Sequence, residues 1–167
     1  MNVADPLLAA LVLGGVWLFV VPVLTFAHEL GHAAATLAFT DGSATVVVGG
    51  ERWRWARGRL AVVFDPSGWR RWWYGFCRYE TLPDGRWREL AVHVGGPAAT
   101  GLVALAVGLV VGLADGRWTR FGLYAAFWNC LFAPAVTVPP IRYPSSWEPY
   151  GGHPSDGLQA WRALAAE

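Results

Sequence analysis

The sequence predicts an α-helical integral membrane protein, a three-span core with a small membrane-associated β-rich insertion between spans one and two. Three observations predict it. Apolar residues make up 54% of the 167-residue chain and charged residues only 15%, with a mean hydropathy of +0.33, far from the balance of an ordinary water-soluble domain. Three stretches of at least 20 residues carry no charge, and about 20 apolar residues suffice to cross a bilayer. Between the first two stretches, residues 41–91 switch to the period of two expected of strands. At this length the chain makes one domain, residues 1–167.

The first span is expected over about 6–39. Pro6–Ala27 holds 22 consecutive uncharged residues, and the apolar character resumes after His28, Glu29 and His32. Pro22 marks a kink, because its ring removes a backbone donor. The first five residues carry no Lys or Arg and the apolar run exceeds the h-region of a secretory signal, so a span is expected rather than a leader. The second span, about 94–114, contains Gly95, Gly96, Gly101, Gly108 and Gly112, small residues that let helices approach closely. The third, about 122–141, is broken by Pro134, Pro139 and Pro140, so its helix should stop near Ala133. An amphipathic helix over about 156–166 closes the chain, with Leu158, Trp161 and Leu164 on one face.

The insertion, residues 41–91, reads as short strands. Thr45 to Val48 are β-branched, Arg52, Trp53, Arg54 and Trp55 alternate, and Leu60, Val62 and Phe64 share a face before the Asp65-Pro66-Ser67-Gly68 turn. Trp72, Tyr74 and Phe76 repeat the period of two. Trp, Tyr and Arg suit the headgroup level, which places this sheet at the lipid interface. Residues 41–91 and the segment after Ile141 hold 11 of the 13 Arg residues. By the positive-inside rule both lie in the cytoplasm. A net charge of +1 offers no broad basic footprint, so nucleic acid is not an expected partner. Cys77 and Cys130 form neither a C-x-x-C pair nor a disulfide scaffold.

The sharpest local signal is His28-Glu29-Leu30-Gly31-His32. On a helix, positions i and i+4 share a face, so both imidazoles can hold one Zn²⁺ with Glu29 beside it as a proton acceptor. Three ionisable residues in an apolar stretch are costly unless they face an interior cavity. A water-activating zinc site needs a third protein ligand. His93, His153 and Asp156 are the candidates, and Asp156 has a competing use as an N-cap with Gln159 at N3. Spacing alone leaves that contest open; the shared cytoplasmic side of His28 and Asp156 favours ligation.

These residues resemble the site-2-type intramembrane zinc proteases, the M50 group, in an ordered set of motifs covering essentially the full chain. Phe26-Ala27-His28-Glu29-Leu30-Gly31-His32-Ala33 is similar to the family's first core span, and Gly95-Gly96-Pro97-Ala98-Ala99 to its Gly-Pro motif. Asn129 with Leu131, Phe132 and Pro134 resembles the Asn-apolar-Pro element, and Ser155-Asp156-Gly157 the Asp-Gly motif. The resemblance implies one Zn²⁺ per chain held by His28, His32 and Asp156, with Glu29 as general base. The implied activity is intramembrane zinc metalloendopeptidase, hydrolysing peptide bonds in or near membrane-spanning segments. Its partners are then the lipid bilayer and a membrane protein or membrane-anchored peptide as substrate. The location expected is a bacterial cytoplasmic membrane with the active site toward the cytoplasm.

The chain departs from the family in three places. Thr100 stands where Asn is common, Ser155 replaces a Leu, and residues 135–150 lengthen the gap before Asp156. His93, Thr100, Asn129 and His153 are accessory candidates for holding the oxyanion or the substrate. A groove lined by the β region and the Tyr143–His153 segment should admit water, and a strand edge within residues 43–64 should hold an unwound substrate by β-addition. The rival expectation is a catalytically inactive membrane scaffold or chaperone that keeps the fold.

Overall fold

The computed structural model describes residues 4–67 and 74–165. Helix α1 (Ala4–Gly15), a π-helical turn (Val16–Val20) and helix α2 (Val21–Phe39) run on as one rod. The backbone stays right-handed helical at both junctions, Gly15 and Val21. Pro22 therefore does not break the rod. It has no N–H for the carbonyl one turn back, and the widened π turn just before it takes up the mismatch.

Thr40 leaves α2 in an extended conformation and leads into four strands: β1 (Ala44–Val48), β2 (Trp53–Arg57), β3 (Leu60–Phe64) and β4 (Gly75–Tyr79). They form one sheet in the order β2-β3-β1-β4. β1 and β3 are parallel, with Val46 opposite Val62, while β4 pairs antiparallel to β1 and β2 antiparallel to β3. The expected strands are present, and Asp65 accepts from the backbone and hydroxyl of Ser67 at the expected turn. Trp72 and Gly68 lie outside the described residues. One face of the sheet buries Ala44, Val46 and Val48 on Ala33 of α2, with Leu60, Val62 and Phe64 packed around them.

Three helices complete the chain: α3 (Arg86–Leu113), α4 (Arg117–Thr137) and α5 (Asp156–Ala165). α2 and α3 cross with their backbones in contact. A Cβ on Gly31 would lie 2.2 Å from the Gly95 carbonyl oxygen, and one on Gly95 would lie 2.5 Å from that of Gly31. α4 returns along α3 after a three-residue turn, and Leu24, Ala104 and Cys130 form a small core where the rod, α3 and α4 meet.

This architecture corrects the expected fold class. The described residues form a mixed α/β domain of four helical rods and a four-stranded sheet, not a three-span helical membrane protein. Among the described residues, only Asp5–Phe39 and Arg86–Leu113 are long and apolar enough to cross a membrane. The stretch expected as a third span lies mostly in α4, whose 21 residues include Arg117, Trp118, Arg120, Tyr124, Trp128 and Asn129. An uncharged run is not the same as an apolar one, because indole, phenol and amide groups remain polar. The helix expected over about 156–166 is α5, whose Ala163 is buried while Trp161 and Leu164 are exposed.

Candidate metal centre

His28, Glu29 and His32 lie on the buried stripe of α2. The His32 Nδ1 lies 2.7 Å from the Val92 carbonyl oxygen. A carbonyl only accepts, so Nδ1 carries a proton, and in the neutral ring Nε2 keeps its lone pair. The His28 Nδ1 lies 3.0 Å from the Thr100 hydroxyl, which donates its own proton to the Gly96 carbonyl oxygen at 3.2 Å. His28 Nδ1 is therefore also a donor. Both Nε2 lone pairs point inward, 3.3 Å apart.

The third group reaches this point from 124 residues further along the chain. The Asp156 carboxylate lies 3.0 Å from His28 Nε2 and 3.5 Å from His32 Nε2. Burial opposes its charge, but its contacts with the two imidazoles outweigh burial and hold its pKa well below the usual carboxylate range. An anion and two lone pairs thus converge within 4.8 Å. With no shared cation, each contact would need a proton on Nε2, making two imidazolium rings side by side in a buried site. One divalent ion satisfies all three donors, and the Nδ1 bonds supply the outer support that metal-bound imidazoles generally have. His28, His32 and Asp156 could hold a metal ion.

Local structure frees the Asp156 side chain for this role. The competing N-cap is taken by Ser155, whose hydroxyl accepts from the Leu158 amide at 3.1 Å. That hydroxyl also accepts from the Ile141 amide and donates to the Pro139 carbonyl oxygen, and Ser155 is fully buried. Gly157 matters as well, because a Cβ there would meet the Val138 carbonyl oxygen at 1.7 Å.

Glu29 is buried beside the two imidazoles, and the Cys77 backbone amide faces it. That contact needs β4 to run close to α2. Gly75 permits it, since a Cβ would lie 2.5 Å from Thr25 Cγ2 and 3.0 Å from Glu29 Cγ. Burial pushes the neighbouring Cys77 thiol up to about 12, so it stays protonated.

A cavity of about 530 Å³ opens onto these groups. Its walls are the rod from Trp17 to His32, strand β4, the end of α4 and the segment Tyr143–Pro154. His93, Asn129 and His153 line it, whereas Thr100 stands behind His28. His93 is buried 3.7 Å from Glu89, and the Asn129 amide donates to the Ala125 carbonyl oxygen. Within residues 43–64 the exposed edge strand is β2, while β1 and β3 are interior; the sheet's other edge, β4, is the one that runs beside Glu29. Sequence reasoning missed Gly75, Tyr150 and Thr137. The Thr137 hydroxyl, on the cavity wall, is buried and has no partner among the described residues. No periodicity or motif marks these three.

Comparison with protein-family models, with curated proteins and with solved structures finds no match to the chain.

Proposed function

We propose that this chain is a zinc-dependent peptidase of the membrane, cleaving peptide bonds in or near membrane-spanning segments. The observation that carries the reading is the convergence of His28, His32 and Asp156 on one point with Glu29 beside them. Two imidazoles and a carboxylate form a donor set that suits Zn²⁺ and leaves a fourth position for water. Zinc bound there would lower the pKa of that water and polarise a substrate carbonyl. Glu29 accepts the proton of the attacking water and returns it to the leaving amine. Burial keeps that carboxylate away from competing solvent. His93, Asn129 and the free Thr137 hydroxyl line the space into which a carbonyl oxygen would project. The likeness of the four motifs to site-2-type proteases supports the same chemistry.

The two apolar helices support a membrane location. The rod of 35 residues is about 52 Å long at 1.5 Å per residue, against about 30 Å of hydrocarbon. Its N-terminal part exposes Leu7, Leu11 and Phe19, and α3 exposes Leu102, Leu105 and Leu109. From Thr25 onward the sheet flanks the rod, with Gly75 against Thr25 and Gly42 against Thr81 beside Thr40. His28 therefore sits just past the lipid-facing part, where water meets the bilayer. The Arg-rich loop, residues 41–91, favours a cytoplasmic position for that side.

The test is zinc per chain in detergent-purified protein, together with cleavage of a membrane-anchored reporter. Wild type should hold one zinc and Asp156→Ala should lose most of it. Glu29→Gln should keep zinc and lose turnover by at least a hundredfold. A folded, zinc-supplemented wild type without metal would refute the reading. Stoichiometric zinc with a reporter phenotype indifferent to Glu29→Gln would favour a metal-bearing scaffold.

A further inference from the structure

Backbone pairing defines which groups on β4 are free. Gly49 donates to Tyr74 and Glu80 donates to Ser43 across the β1–β4 ladder. In an antiparallel pair, alternate residues face the partner strand. Gly75, Cys77 and Tyr79 therefore turn their N–H and C=O groups outward, along an edge beside Glu29. The Cys77 N–H faces Glu29. Both outward groups of Gly75 are taken by one side chain. The Gly75 amide donates to the Tyr150 hydroxyl at 2.8 Å, and that hydroxyl donates to the Gly75 carbonyl oxygen at 2.8 Å.

Tyr150 sits on a tight hairpin closed by backbone bonds from Tyr143 to His153, from Gly152 to Tyr143 and from Ser155 to Ile141. Arg142 adds a bond to the Gly152 carbonyl oxygen. The Tyr150 ring packs on Tyr74 of the strand segment and on Tyr143 of the hairpin. The hairpin forms one wall of the cavity. Burial pushes the Tyr150 phenol well up, so it remains able to donate. A phenol that accepts from one backbone N–H and donates to the C=O of the same residue makes the bonds that an added strand would make there.

We propose that the hairpin 141–155 is a latch holding the edge of β4 closed, with Tyr150 standing in for the backbone of an extended peptide at Gly75. A peptide that pairs at Gly75 must displace the Tyr150 hydroxyl, so the latch and the ligand compete for one pair of backbone groups. For its ligand the latch rests on the peptidase reading, while the closed edge is a property of the fold alone.

The experiment uses full-length, zinc-loaded protein in detergent and compares wild type with Tyr150→Phe, which keeps the ring and removes the hydroxyl. Two probes are used: acetohydroxamate, which needs only the metal, and a tripeptide hydroxamate, which adds an extended backbone. Hydrogen exchange at the Gly75 amide is read in parallel. Tyr150→Phe should speed that exchange at least tenfold, tighten tripeptide hydroxamate by about tenfold, the scale of two modest hydrogen bonds, and leave acetohydroxamate unchanged. Arg142→Ala, which loosens the hairpin from an exposed position, should move both readouts the same way by less and covers the case of a misfolded Tyr150→Phe. Unchanged Gly75 exchange in both variants overturns the latch. So does faster exchange with unchanged or weaker tripeptide binding. Failure of the metal reading looks different: neither zinc nor acetohydroxamate binds wild type, and Gly75 exchange alone then decides whether Tyr150 closes the edge.

Discussion

Thr100 turns a helix neighbour into a support for the candidate metal centre. Its hydroxyl accepts from His28 Nδ1 and donates to Gly96, which fixes the tautomer that aims Nε2 at Asp156. Thr100→Val keeps the shape and removes the acceptor. Outer-shell losses of this kind typically cost 10- to 100-fold in metal affinity. Zinc affinity, measured by chelator competition, should fall by about that range, and Thr100→Ser should restore most of it. The paired histidines and Glu29 were legible in the sequence because their spacing is local to one helix. The role of Thr100 was not, since it depends on a helix crossing that brings residues 72 positions apart into contact.

The α2–α3 crossing sets that geometry, and glycine makes it close enough. Gly31 meets Gly95 backbone to backbone, and a Cβ on Gly96 would lie 2.2 Å from His32 Nε2. Gly31→Ala forces the helices apart, an overpacking cost of about 1–3 kcal/mol. Both the unfolding midpoint and the zinc content should fall. Gly101→Ala is the matched control on α3, where nothing lies within 4 Å of the added carbon, and it should leave both unchanged. Arg59 serves the other end of α2. Its guanidinium donates to the carbonyl oxygens of Leu37, Thr40 and Gly42, which are otherwise orphaned past a helix C-terminus. Arg59→Met should lower stability by about 1 kcal/mol without changing zinc stoichiometry, as denaturant titration with parallel metal analysis would check.

Over the full length of the chain, apolar surface is distributed unevenly. α3 leaves Leu102 at 69% and Leu113 at 84% exposure, whereas the sheet buries its inward face on α2. A chain read as crossing a bilayer should stay with membranes through an alkaline wash. Leu109→Arg places a charge on the exposed apolar face of α3 at a cost of about 2.5–3.5 kcal/mol near a bilayer centre, so its membrane-retained fraction should drop. Recovery of wild type as folded monomer in detergent-free buffer would refute that location.

Composition, the two apolar helices, the strand periodicity and the His28-Glu29-x-x-His32 signature were all legible along the chain, because each depends on residues within a few turns of one another. The number of helices apolar enough to cross, the sheet edge that borders Glu29 and the local structure that frees the Asp156 side chain were not. The first turns on how polar aromatic residues dilute an uncharged run. The second follows from strand order, which places β4 outermost. The third rests on Ser155, which is buried under Ile141 and Pro139, takes the helix cap and leaves the Asp156 carboxylate facing the two imidazoles. Each was decided by contacts between segments far apart in sequence, where local spacing holds no information about which partner is near.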